Sequence, residues 1–334
     1  MSAREGAASD KDTTAFDASS FILDHIADSH EWHILTKKNG EGVAIYLPVI
    51  LYSKEKGLNI FSSRKLADGR EYKGYKVVEE ESDLKGKIVS VNEAGGIDAK
   101  NLPLDFSMTK TVIGMLAAAL IGMWLFISLS RSYKKTGISH PKGIQSFLEP
   151  AVLFVRDDIA IPNIGEHHYE KYMPYLLSVF FFILINNVMG LIPFPPPFGA
   201  NVTGNIALTF VLAACTFLIT QFSGNKTYWK HIFAAPGVPF WLLPIMIPVE
   251  IIGLFSKPFA LMIRLFANIT AGHIIVLSLI CLIFIFDSLS IAPVSIFFVI
   301  FMDCLELLVA FLQAYIFTLL SSLFIGMAMP EEHH

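Results

Sequence analysis

Long apolar segments beyond residue 108 restrict what this chain can fold into. Three of them, at residues 108–130, 173–194 and 205–222, are close to the ~20 residues that cross a hydrocarbon core as a helix. Two more, at residues 241–286 and 293–329, exceed the roughly 17–25 residues of one straight crossing. Prolines at 244, 248 and 258 allow bends in the first of these, so each long stretch is either a strongly tilted helix or a broken one. The fold class predicted is an all-α polytopic membrane protein with about five membrane helices.

The residues before the first span have a different composition. The chain as a whole is 54% hydrophobic and 16% charged, but residues 1–107 are polar and rich in charge. Short runs of β-forming residues, VAIYLPVILY, LNIFSS, YKVVE and GKIVSV, alternate there with turn residues. We therefore predict a small N-terminal β-containing extramembrane domain. The net charge of −4, with no long basic run, argues against a nucleic-acid partner.

Basic clusters orient the predicted spans. They follow the first span and the third, and comprise Arg131, Lys134, Lys135, Lys226 and Lys230. The positive-inside rule puts both loops in the cytoplasm and the N-terminus outside. Between the first two spans, residues 140–160 have apolar side chains at helical spacing with charges between them, which predicts an amphipathic helix on the cytoplasmic surface.

Two further expectations come from short sequence features. The first twenty residues lack the apolar core of a signal peptide. Because the polar residues 1–107 are predicted to lie outside and their translocation needs a signal, we expect the native precursor to carry a signal peptide that is cleaved. Mass spectrometry of the native N-terminus tests this. Cys215, Cys281 and Cys304 lie inside apolar runs without disulfide or zinc spacing, and are predicted to be small buried residues.

Ionisable residues inside predicted spans are candidate functional residues, because charge in hydrocarbon is costly. They are Glu250, Arg264, His273, Asp287, Asp303 and Glu306. Asp287 is assigned to a turn. Arg264 cannot lose its proton, and burying it costs at least about 2.5–3.5 kcal/mol, so a functional role is predicted for it.

Helical geometry relates these residues to Arg264. At about 100° per residue, Asn268 lies about 40° from Arg264 on the same face. Glu250 is also about 40° away but roughly 21 Å along the axis, and His273 is about 180° round. On the last span, Glu306 and Gln313 share a face.

The residue types suggest proton movement. His273 and Glu306 can exchange protons, and the ordinary histidine pKa near 6.5 suits a relay. Arg264 can act as a fixed positive barrier. Two titratable routes separated by such a charge can move protons in two half-steps without a leak. Taken singly, His273 or Glu306 could equally be a hydrogen-bonded core group.

Around these residues the sequence resembles a known family. The segments LFSKPFALMIRLFANITAGH and ELLVAFLQAYIFTLLSSLFIGMAMPEEH, with NNVMGLIP and GANVTGNIALTF upstream, are similar to the a subunit of the F-type ATP synthase, over about residues 105–334. The resemblance implies a proton-translocating stator subunit that does not itself catalyse ATP chemistry and needs no cofactor or metal. It also implies c-ring proteolipids, peripheral-stalk b subunits and membrane lipid as partners, in a bacterial inner membrane with the N-terminal segment periplasmic.

The resemblance also implies roles for individual residues and a strong tilt of the two last helices. Arg264 would be the barrier that faces the c-ring, and His273 and Glu306 would form the relay of the outer half-channel. Glu250 would be the acid of the cytoplasmic half-channel. Polar support would come from Asn268, Gln313 and Asn187. Gly190 departs from the pattern, since some members have an aspartate there. Residues 108–334 would form the membrane domain. Residues 1–107 would form the N-terminal segment, with an inserted small domain at about residues 36–103.

Two other function classes remain at this point. A secondary transporter could use an intramembrane arginine to bind an anionic substrate, but such folds favour internal repeats and none is evident. An intramembrane metalloprotease is weakly suggested by HEWH, at His30 to His33, which is not an HExxH motif. These histidines are predicted to be surface or loop residues.

Overall fold

The computed structural model describes residues 18–36, 42–54, 56–78, 86–91, 96, 102–136, 143–192, 195–233, 240–286 and 290–329. The turn assigned to Asp287 lies outside these residues. Within these described ranges, five helices are long and apolar enough to cross a membrane, which confirms the predicted number. They are α2 (Lys110–Thr136), α5 (Tyr169–Leu191), α6 (Ile206–Ser223), α8 (Leu243–Ile285) and α9 (Ala292–Ala328). The shorter helices are α1 (Ala18–Ile26), α3 (Ile144–Phe154), α4 (Ile161–Ile164) and α7 (Lys226–Phe233).

The span predicted to reach residue 194 ends earlier, at Leu191. The residue after it, Ile192, has an extended backbone with φ −90° and ψ 110°. It precedes Pro193 in the sequence, and the proline ring disfavours a helical conformation in the residue before it.

The two long apolar stretches are single helices. Helix α8 has 43 residues and α9 has 37, about 65 Å and 55 Å at helical rise, against a hydrocarbon core of roughly 30 Å. Pro248 and Pro258 lie inside α8 without ending it. The broken-helix alternative is therefore wrong, and the strong tilt of the two helices stays a prediction.

Helix α9 is the centre of the membrane part, packing along both α5 and α8. Its buried positions include a series of small residues, which let helix backbones approach closely: Ala310, Ala314, Thr318, Ser321 and Ser322. The predicted amphipathic segment is helical, as α3 followed by a π-helical turn, Val155–Ala160. It buries Leu148, Val155 and Ile159 in the same core as α5 and α9.

The N-terminal domain consists of antiparallel strands. β1 (Glu31–Thr36) pairs with β2 (Gly42–Tyr46), and β5 (Tyr75–Val77) with β6 (Ile88–Ser90). β3 (Pro48–Ser53) lies between β4 (Gly57–Ser62) and β7 (Leu104–Asp105). The predicted runs correspond to β2–β6, whereas α1, β1 and β7 were not predicted. The domain core includes Val49, Leu51, Phe61, Tyr75 and Ile88.

Hydrogen bonds fix this domain to the beginning of α2. Asp28 Oδ1 accepts from the Thr111 backbone N–H at 3.1 Å, and the Ser29 carbonyl accepts from the Lys110 N–H at 3.0 Å. The Met108 N–H donates to the Pro48 carbonyl at 3.1 Å. The domain is therefore attached to the helix by hydrogen bonds as well as by the chain that connects them.

The histidines of the HEWH segment were predicted to be surface or loop residues. His30 lies in a bend between α1 and β1, as predicted, and its Nε2 lies 3.2 Å from Asp105 Oδ2, with 14% of the side chain exposed. His33 lies in strand β1 rather than in a loop. The cysteine prediction needs correction. Of the cysteines predicted to be buried, Cys215 and Cys304 are exposed, and only Cys281 is buried. An apolar run alone does not distinguish a helix face packed in protein from one that meets lipid, because both are apolar.

Candidate functional site

A histidine and a glutamate meet across the contact between α8 and α9, which we call the α8–α9 seam. His273 Nδ1 lies 3.9 Å from Glu306 Oε2, and the two side chains are 19% and 12% exposed. Gly272 makes the approach possible, because a Cβ on that residue would collide with the Glu306 carboxylate. The structure thus brings together two residues that the sequence analysis placed on different helices.

The other side of His273 faces α5 and the loop after it. A Cβ built on Gly190 would lie 3.7 Å from His273 Nε2 and 3.4 Å from the Ala200 carbonyl oxygen. Gly190 is the position at which the resemblance led us to expect an aspartate in some members. A carboxylate there would lie beside the imidazole.

Asn187 joins three elements of this region. Its Nδ2 donates to the Ala310 carbonyl of α9 at 3.3 Å, and its Oδ1 accepts from Thr203 Oγ1 in the loop before α6 at 2.7 Å. Asn187 and Thr203 are 3% and 1% exposed. The amide therefore holds the loop against the α5–α9 contact.

Arg264 lies on an exposed part of α8. Within the part of the chain that the structure describes, its guanidinium makes no hydrogen bond, ion pair or aromatic contact. One turn on, Asn268 Nδ2 donates to Gln313 Oε1 on α9 at 2.8 Å. Gln313 is 2% exposed, and its Nε2 is a buried donor without a partner. Beside the arginine, then, two predicted residues form a pair.

The two remaining acids are less constrained. Glu250 is half-buried near the beginning of α8, and Asp303 is exposed one turn before Glu306. Among the described residues, neither carboxylate has a hydrogen-bond or ion-pair partner. The structure therefore does not join Glu250 to the other predicted site residues.

Two residues that shape the site were not predicted. Gly272 was quoted only as part of a motif, although glycine inside a helix costs about 1 kcal/mol relative to alanine and so signals a close approach. Thr203 gave no sequence signal, because its partner depends on how the loop folds back. No group of three or more His, Cys, Asp or Glu that could hold a metal occurs in the described ranges.

Comparison with known proteins decides the family. A family model described as ATP synthase A chain matches residues 111–326. The chain belongs to the ATP synthase A chain family. A second family model, a domain of unknown function (DUF8433), matches residues 21–106.

Several relatives share about half of their aligned residues with this chain. The ATP synthase subunit a of Chloroherpeton thalassium is 50% identical over 236 residues, which are 69% of this chain and 69% of the relative. That of Myxococcus xanthus is 49% identical over 238 residues, covering 69% of this chain and 76% of the relative. The ATP synthase subunit a 2 of Chlorobium luteolum is 48% identical over 260 residues, covering 75% of this chain and 74% of the relative.

Membership in the ATP synthase A chain family fits the structural division of the chain. The match begins at residue 111, one residue into α2, and ends within α9. Arg264 and the α8–α9 seam lie inside it. The chain is thus a multi-pass membrane protein of this family, and the transporter and protease interpretations lose their basis.

Proposed function

We propose that this chain is the proton-translocating stator subunit of a rotary membrane ATP synthase, in the membrane part of the complex together with other subunits. Membership in the ATP synthase A chain family and five membrane helices support this role. The observation that carries the mechanism is the exposed, unpaired guanidinium of Arg264 among the described residues of α8.

Because Arg264 has no partner among the described residues, we infer that its partner comes from another chain. A guanidinium stays charged at physiological pH, and an arginine in a membrane helix is normally paired or faces water. A partner that arrives and leaves, the carboxylate of a c-ring proteolipid, satisfies this requirement transiently. In our proposal the fixed charge blocks direct proton flow past the ring carboxylate and favours its ionised form as it passes.

The outer half-channel is proposed to end at His273 and Glu306. An imidazole nitrogen 3.9 Å from a carboxylate oxygen is slightly beyond hydrogen-bond length, and catalytic contacts often tighten only in the working complex. A proton accepted by one group can pass to the other and then to a ring carboxylate. Asn187, held by Thr203 and Ala310, positions the loop beside this pair.

The inner half-channel is proposed to include Glu250. Along α8, Glu250 lies about 21 Å on one side of Arg264 by helical rise, and His273 about 14 Å on the other. This offset prevents a proton from crossing directly between the routes, so it must travel with the ring. The Asn268–Gln313 pair gives the ring-facing site polar groups beside the arginine.

The orientation of the chain is part of the proposal. The basic clusters after the first span and the third support a cytoplasmic position for those loops, where peripheral-stalk b subunits would also attach. Residues 1–107 are then a periplasmic segment carrying an inserted domain, and residues 108–334 the membrane domain of a bacterial inner-membrane complex.

The decisive experiment is proton pumping by the complete complex in vesicles. Arg264→Ala is expected to abolish ATP-driven acidification, because the barrier and the ring's transient counter-charge are both lost. Lys257→Ala is the control, since it removes another exposed cation from the same helix. Coupled pumping retained by Arg264→Ala would overturn the proposed mechanism.

A further inference from the structure

The central sheet of the N-terminal domain has one apolar face that nothing in the described structure covers. Along β3, Val49, Leu51 and Ser53 are buried, whereas the alternate residues point to the other face. The neighbouring strands continue that face with large apolar side chains. We call it the apolar sheet face: Ile50, Tyr52, Leu58, Ile60, Leu104 and Phe106.

Strand register arranges these residues in two rows. Tyr52 lies opposite Leu58 on one side and opposite Leu104 on the other. Ile50 lies opposite Ile60, and the Phe106 N–H donates to the Ile50 carbonyl at 2.9 Å. Five of the six residues are exposed, reaching 62% for Ile60 and 64% for Phe106, and Ile50 is partly buried. A contiguous apolar patch of this kind marks a membrane or protein contact, unlike single apolar residues scattered over a surface.

The position of the face favours lipid. Phe106 lies only four residues before Lys110, the first residue of α2, a distance of at most about 14 Å of extended chain. The Pro48–Met108 hydrogen bond holds the near end of β3 at this junction. The row that contains Tyr52 lies two residues further along β3 from this junction than the row that contains Ile50, so the two rows are roughly 7 Å apart.

The helix that follows the apolar sheet face in the chain also exposes apolar side chains. Helix α2 has exposed apolar residues at helical spacing: Leu116, Leu120, Met123, Trp124 and Ile127. The interfacial zone on each side of the hydrocarbon core is several ångströms deep, and it favours side chains such as tyrosine that combine an apolar ring with a polar group. Tyr52 on the apolar sheet face is an exposed side chain of this type.

We propose that the apolar sheet face lies against the phospholipid of the leaflet from which the N-terminal end of α2 emerges, and that it holds the domain on the membrane surface. The hydrogen bonds to α2 fix one end of the domain, and lipid contact fixes the sheet. This inference requires only that α2 spans the membrane, so it stands or falls separately from the proton pathway.

Photo-crosslinking in the intact complex tests the proposal. Benzoylphenylalanine is introduced at Ile60 or Leu58, the complex is placed in phosphatidylcholine nanodiscs and irradiated, and adducts are identified by mass spectrometry. The control carries the probe at Lys76, an exposed residue of β5 in the same domain. We expect phospholipid adducts at Ile60 and Leu58 that are several-fold more abundant than at Lys76.

Two crosslinking results would overturn the proposal. One is that lipid adducts at Ile60 and Leu58 are no more abundant than at Lys76, and the other is that the adducts form with another subunit or a second copy of the chain.

A smaller probe guards against disturbance by the bulky crosslinker. A nitroxide on Ile60→Cys, with Cys215, Cys281 and Cys304 replaced by serine, should collide with oxygen more often than with a water-soluble nickel chelate. The reverse preference would also refute lipid contact.

Discussion

His273 Nδ1 and Glu306 Oε2 lie 3.9 Å apart across the α8–α9 seam, with both side chains less than a fifth exposed. The His273 imidazole is either neutral or positive, and the Glu306 carboxyl group is either neutral or negative, depending on where the proton lies. Each can hold a proton for the other in a largely buried site. We therefore propose that the pair, rather than either residue alone, is the functional unit.

Exchanging the two residues tests that statement. His273→Glu and Glu306→His are each expected to reduce ATP-driven pumping about 100-fold, because each leaves two like groups in the seam. The double exchange restores one acid and one imidazole and should recover pumping to within about 10-fold of the native complex. Recovery no better than that of the single variants would show that the residues act independently.

Gly272 permits a second test on the same seam. Gly272→Ala puts a methyl group where the Glu306 carboxylate lies, so the flexible end of Glu306 must move away from His273. Pumping should fall about 10-fold to 100-fold while the complex still assembles. Gly253→Ala is a matched control on the same helix, since a Cβ there meets nothing within 4 Å. Equal effects of the two variants would contradict the steric explanation.

The hydrogen bond from Thr203 to Asn187 is expected to stabilise the loop before α6. Thr203→Val would leave the buried Asn187 carbonyl oxygen without its 2.7 Å donor, at a cost of about 1–3 kcal/mol. Thr203→Ser retains the hydroxyl and should lose much less. Thermal unfolding of the purified complex measures both, and similar midpoints for the two variants would argue against this role.

Asp105 links the N-terminal domain to pH. Burial alone would raise the pKa of this carboxyl, but hydrogen bonds from His30 and Ser107 outweigh it and lower its pKa below the usual value. The contribution to stability is therefore complete above the ordinary carboxyl pKa near 4 and is lost as pH falls through the lowered value. Because Asp105 is partly exposed, we expect this contribution to the free energy of unfolding to be on the order of 1 kcal/mol.

Asp105→Asn should consequently destabilise the domain at pH 7 and make progressively less difference below pH ~4. Trp32, buried at the contact between β1 and the loop containing Ala200 and Val202, can report unfolding. The measurement uses a variant in which Trp124, Trp229 and Trp241 are phenylalanine, unfolded by urea at each pH. A destabilisation that stayed constant down to pH 2 would rule out the ionised carboxylate as its source.

The membrane fold was largely predictable because span length and apolar content are strong local signals. Pro248 and Pro258 misled in one respect by allowing a break in α8. In a membrane, neighbouring helices and local backbone adjustment satisfy the groups that proline frees, so the helix continues. Local strand signals likewise predicted β2–β6. They did not predict β7, whose two residues form a strand only because β3 lies beside them.

The sequence supplied the candidate site residues, whereas the contacts between them became visible only in the three-dimensional structure. His273 and Glu306 are conspicuous as ionisable groups in apolar helices. That they meet follows from Gly272 and the packing of two long helices, which spacing within one helix cannot give. The exposure of Arg264 is similarly a property of the assembled helices. Its proposed partner belongs to another chain, so it remains a prediction.

The small residues buried along α9 have a mechanical consequence. Thr318 and Ser321 are buried and donate to carbonyls of their own helix at 2.8 Å, so neither hydroxyl needs a water molecule as its acceptor. A contact built from such short side chains has few rotamers that can yield under load. In the proposed position beside a turning ring, we expect this contact to have low compliance. Tangential force would then pass through α9 to α5 with little elastic storage, and twist would accumulate in other parts of the complex.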